Sequence, residues 1–128
     1  TPNRGVFCSD PSYWELLKHV HTSVIENTGN HMNDYGWEPF SYTLGIYEKE
    51  GIPYFGGGRT ITEATRYITL TNNGNVLAFA GCNPVGPTID YVDGMGDGRP
   101  GSAPCASPSS CRSARICSIR ALLSWLGE

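Results

Sequence analysis

Apolar residues recur along the chain with two different periods, and the switches between them divide it into elements. Tyr13, Leu17, Val20 and Val24 stand at helical spacing. Ser9-Asp10-Pro11 precedes them, with Asp10 suited to cap free amides and Pro11 to the first helical position. Gly29 then offers a left-handed stop, so a helix is predicted over about residues 11–27. Further on, Phe40, Tyr42, Leu44 and Ile46 alternate with their neighbours in the period of 2 of a strand. FSYTLGIYEKEG followed by IPYFGGGRT therefore predicts a strand, a turn and a second short strand. EATRYITLTNNGNVLAFAG predicts a hairpin closed by Asn72-Asn73-Gly74, whose residues tolerate positive φ.

Two stretches have no regular period. TGNHMNDYGWEP, residues 28–39, mixes turn formers with Tyr and Trp and reads as a binding loop. Residues 83–110 are rich in Gly and Pro and read as a long loop. Ile116, Ile119, Leu123 and Leu126 restore the helical period, which predicts a helix over about residues 114–126. The expected fold class is α+β: an N-terminal helix packed on a twisted antiparallel sheet, a long C-terminal loop tied by disulfides, and a C-terminal helix. At 128 residues the chain is sized for a single domain, with a core at about residues 8–82 and a C-terminal extension at about 83–128.

Composition narrows the function classes. Charged residues make up only 16% of the chain and the net charge is −3, which leaves no basic footprint for electrostatic wrapping of nucleic acid. No apolar run approaches the ~18 residues of a membrane span. The chain starts at Thr1 without an apolar leader and reads as a mature secreted form or an excised domain. Cys8, Cys82, Cys105, Cys111 and Cys117 suggest an oxidising compartment and up to two disulfides, with one sulfur left over. Their spacing fits no common zinc pattern. Asp90, Asp93 and Asp97 lack the spacing of an EF-hand and read as solvated loop carboxylates. Neither a metal nor a cofactor is expected.

The candidate chemistry lies in two charges on otherwise apolar faces. Glu48 ends the row Phe40, Tyr42, Leu44, Ile46, and Arg66 shares a face with Ala64, Ile68 and Leu70. A buried unpaired charge costs several kcal/mol, so the two are expected to meet each other or a shared ligand. Two readings are open: a salt bridge that fixes strand register, or a general base beside an anion-stabilising guanidinium.

These residues resemble the guanyl-specific microbial ribonucleases of the T1/N1 type and the related ribonuclease-like secreted effectors of fungi. The resemblance runs through His31-Met32-Asn33-Asp34-Tyr35-Gly36-Trp37-Glu38-Pro39-Phe40, Tyr47-Glu48, Gly56-Gly57-Gly58, Ala64-Thr65-Arg66 and Leu77-Ala78. It implies Glu48 as the base, His31 as its partner and Arg66 as the phosphate ligand, with Asn33, Asp34, Tyr35 and Glu38 around a guanine-like base. It also implies a second catalytic His after the hairpin, where this chain reads Gly81-Cys82-Asn83. His19 and His21 read as surface residues of the N-terminal helix. The missing general acid favours a catalytically degenerate, ribonuclease-like secreted effector that binds RNA or a host protein, with secretion and action in a host cell. The alternative is an active endoribonuclease that cleaves single-stranded RNA to a 2',3'-cyclic phosphate. The expected partners are single-stranded RNA, a nucleotide or a host protein, not a membrane, and the expected state is a monomer.

Overall fold

The computed structural model describes residues 8–85, 88–92, 99–105 and the backbone of 117–118. Mixed α and β structure is present, as expected, but several elements differ from the periodicity reading. Asp10 accepts from the Ser12 amide at 2.9 Å, and Pro11–Tyr13 form a 3-10 turn leading into helix α1, Trp14–His19. The predicted helix over 11–27 thus stops early. His21 takes a left-handed φ of 55°, its amide bonds the Lys18 carbonyl, and the Thr22 amide bonds the Leu17 carbonyl. That is a Schellman closure with histidine in the position glycine usually fills. Val24 is left outside the helix, and Ile25–Glu26 become strand β1.

The larger correction concerns residues 40–48, predicted as a strand. They belong to helix α2, Trp37–Glu50, and Phe40, Leu44 and Tyr47 are its buried residues. These stand at i, i+4 and i+7, the stripe of a helix one face of which meets the core. Tyr42, expected on the same face, is 61% exposed. Gly51 at φ 70° closes the helix, with the Ile52 amide reaching back to the Tyr47 carbonyl.

After α2 the chain enters strand β2, Tyr54–Phe55, which pairs in parallel with β1 in the register Ile25↔Tyr54 and Glu26↔Phe55. Parallel neighbours need a crossover, and α2 is that crossover. The centre is therefore not the all-antiparallel sheet that was expected. Strand β3, Gly57–Gly58, pairs antiparallel with β6, Gly101–Ser102. Helix α3, Ile61–Thr65, is capped by the Thr60 hydroxyl accepting from the Glu63 amide, so the first residues of the predicted hairpin are helical. The hairpin begins later, with β4 at Ile68–Asn72 and β5 at Asn75–Phe79. Asn73 and Gly74 turn it at φ 50° and 75°, as the Asn-Gly signal requires. Strand β7, Cys117–Ser118, pairs with β5. The rest of the helix predicted over 114–126 lies outside the described residues.

Packing gathers two clusters. Phe40, Leu44, Tyr47 and Tyr54 form one, with Trp14, Ile25 and Met32 against it. Helix α1 thus packs through Trp14 on α2, where the Trp14 and Tyr47 rings lie 5.7 Å apart, and not on an antiparallel sheet as expected. Ala64, Val92 and Ala103 form the second, beside Ile61 and Cys82. It draws part of the Gly/Pro-rich segment onto the body. A Cys82–Cys105 disulfide closes that segment, and the Ala103 amide donates to the Gly56 carbonyl at 2.8 Å. Cys8 is a free, exposed thiol. No helix among the described residues is long and apolar enough to cross a membrane.

Candidate functional site

The loop from Asn27 to Gly36 leaves the end of β1 and delivers the chain to α2. Its backbone is held from a distance by the segment that returns after β5. Asp90, almost wholly buried, accepts the His31 amide on one carboxylate oxygen and the Asn33 amide on the other, each at 3.0 Å. The buried Asn33 side chain donates to the Ile89 and Pro100 carbonyls, at 2.7 and 3.0 Å. Asn83 donates to the Gly29 carbonyl at 3.0 Å and to the Ser102 hydroxyl at 3.1 Å, and that hydroxyl donates to the Asp90 carbonyl at 2.9 Å. Most buried polar groups are partnered, and the bonds of this web hold the loop from both sides, although the Asn33 Oδ1 is buried without a partner among the described residues.

That shape is demanding. His31 has φ 68°, a left-handed conformation that costs a non-glycine residue roughly 1–3 kcal/mol and persists only where its surroundings over-determine it. Held so, the half-exposed imidazole meets the largely buried Asp34, with Nδ1 at 3.0 and 2.9 Å from its two carboxylate oxygens. Gly36, at φ 93°, then turns the chain into α2. Tyr35 and Trp37 are exposed beside the loop, and the Arg99 guanidinium lies 5.2 Å over the Trp37 ring.

A second cluster lies near the other end of α2. Arg59 donates to Glu48 through both terminal guanidinium nitrogens, at 2.5 and 3.1 Å. Glu63 accepts from the Arg59 amide at 2.7 Å and from the Tyr54 hydroxyl, which also donates to Glu48 at 3.3 Å. The Arg59 bonds hold the Glu48 carboxyl below the usual carboxylate range. Burial first, then Glu63, pushes the Tyr54 hydroxyl well above its ordinary value. Arg66 caps α3 and stacks over Tyr54 at 5.2 Å.

The sequence-derived site is therefore split. Glu48 and Arg66 are neighbours across Tyr54, but Glu48 makes its ion pair with Arg59, and neither residue lies on a strand. Both are exposed, so the premise of two inward-facing charges on a concave sheet does not hold. His31, Asn33, Asp34, Tyr35 and Glu38 gather around the start of α2. From Glu38 to Glu48 the helix rises about 15 Å, so the presumed base and the presumed base-recognition loop do not converge. Asp90, read as a solvated carboxylate, is buried, while Asp93 and Asp97 lie outside the described residues. Asn83 and Asp90 were missed as site-builders, because contacts spanning 54 to 59 residues leave no local pattern, and Ser102 because it acts only through those two.

Comparison with known proteins replaces the ribonuclease resemblance. The model of the family described as bacterial capsule synthesis protein PGA_cap matches residues 1–104. A PGA biosynthesis protein CapA of Bacillus subtilis (strain 168) is 29% identical over 72 residues, which is 56% of this chain and 19% of that protein. The chain thus spans about a fifth of the length of the curated relative it matches. A match over residues 1–104 takes in every motif on which the T1/N1 resemblance rested, and it assigns them to a bacterial family of another kind. The degenerate fungal effector and the active endoribonuclease are both overturned by it.

Proposed function

The chain belongs to the bacterial capsule synthesis protein family, and from that premise we propose that it acts in the biosynthesis of a capsule polymer, with the loop Asn27–Gly36 as its working site. The family match over residues 1–104 carries the reading, and the loop lies inside it. The name of the Bacillus subtilis relative, a PGA biosynthesis protein, agrees with it.

The chemistry the loop offers is proton transfer at His31. A carboxylate at Nδ1 favours the neutral tautomer that carries its proton there, so the electron pair sits on Nε2 of a half-exposed ring. Asp34 orients that ring. Tyr35 and Trp37, which follow Asp34 in the chain, are exposed aromatic rings that offer contact area to an extended ligand.

The test is made in the organism that encodes the protein, with its whole gene. Deletion is expected to remove the capsule, and His31→Ala or Asp34→Asn in the intact gene should lower capsule polymer at least tenfold at unchanged protein abundance. A full capsule after deletion overturns the family-based role. Loss on deletion but a full capsule with His31→Ala overturns the assignment of the site.

A further inference from the structure

The His31–Asp34 pair stands on a strained backbone, with His31 at φ 68°. The loop's own Asn33 turns its side-chain amide toward Ile89 and Pro100. The group that faces the strained turn from inside is the Asp90 carboxylate. Its two oxygens take the amides of residues 31 and 33, bracketing the turn from which the His31 ring leaves. We propose that Asp90 is a positioning residue, whose carboxylate holds His31 in the left-handed conformation that brings its imidazole onto Asp34.

Asp90 suits this role for three reasons. It is 1% exposed, so its carboxylate is not available to solvent or to an approaching ligand. It acts with both oxygens on two amides of one short turn, a bidentate arrangement that fixes orientation as well as distance. Its own backbone is anchored, through the Ser102 hydroxyl at 2.9 Å and the pairing of the Val92 amide with the Ser102 carbonyl at 3.0 Å. An asparagine in its place presents one acceptor and one NH₂, which opposes an amide donor with another donor.

This inference rests on the reading of His31–Asp34 as the working pair, yet its test needs no capsule. In purified protein, Asp90→Asn is expected to speed hydrogen exchange of the residue 31 and 33 amides at least about tenfold, with the other slow amides unchanged. The ¹⁵N signature of the His31 ring should lose its preference for the Nδ1–H tautomer, while those of His19 and His21 stay put. A purely structural role for Asp90 would leave the tautomer unmoved. A folded Asp90→Asn protein with native exchange at both amides and a native His31 ring spectrum overturns the proposal. Should that variant not fold, Ser102→Ala decides it: the carboxylate stays, its anchor goes, and a smaller change in the same two readouts is expected. Native values there also overturn it. If the tautomer shifts in Asp90→Asn while cells carrying that variant keep a full capsule, the positioning role stands and the function given to the pair falls.

Discussion

Charge pairing decides local outcomes at the scale of single residues. Glu48 and Arg66 looked paired because each seemed to point inward, yet the helix puts Glu48 in solvent, where Arg59 reaches it with both ends of its fork. An exposed pair of this kind adds little to stability, but it titrates visibly. Glu48 is depressed in the folded protein chiefly by the bond to Arg59, so its contribution is present above the unfolded carboxylate range and is lost as pH falls through the folded value. Arg59→Met should raise the Glu48 midpoint, as read by carboxyl carbon shifts, and an unmoved midpoint would show that Arg59 is not the cause. Tyr54 differs because it is buried and its hydroxyl serves two carboxylates. Tyr54→Phe leaves Glu63 one donor short, and a loss of about 1–2 kcal/mol in urea unfolding is expected.

Within elements, legibility followed how local the decisive contacts were. The Asn73-Gly74 turn was readable because its constraint is its own φ, and no neighbour lies within 4 Å of a Cβ placed on Gly74. Helix α2 was not, because Phe40, Leu44 and Tyr47 fit the helical period while Phe40, Tyr42, Leu44 and Ile46 fit that of a strand equally well. The alternation was read as a strand, and only burial against Trp14, Ile25 and Met32 settles it. The overlooked local clue was Gly51, placed to close a helix. Leu44, fully buried at the centre of the stripe, is the residue on which α2 most depends, and Leu44→Ala should cost about 2–5 kcal/mol in the same assay. The triple glycine also reads differently once packed. A Cβ on Gly57 would lie 2.7 Å from the Asn27 Cβ and 3.0 Å from its carbonyl oxygen, so Gly57→Ala pushes on the first residue of the candidate loop. It should destabilise by about 1–3 kcal/mol, and a neutral effect would mean that the loop yields easily.

For the molecule as a whole, the candidate site is a product of chain return. From the residues alone, only a binding loop at 28–39 was readable; His31, Asn33 and Asp34 were singled out through a resemblance that does not hold, and the residues that give the loop its shape arrive from a segment whose composition read only as a long loop. Asn83, Asp90 and Ser102 all fall between Cys82 and Cys105, so the disulfide closes the segment that carries these supporting bonds. The Asn83 amide bonds the Ala103 carbonyl, and the Cys105 amide bonds the Asn83 carbonyl, directly beside the crosslink. Closing a loop with a sequence separation of 23 removes enough unfolded-state entropy to be worth about 3 kcal/mol. Replacing both cysteines by serine should lower stability by about that amount. The loss should not be spread evenly. Hydrogen exchange is expected to rise first at Asn83, Asn33 and His31, which hang from the closed segment, and last in the β4–β5 hairpin, which does not. Equal loosening of hairpin and loop would show that the disulfide stabilises the body at large and has no special hold on the site.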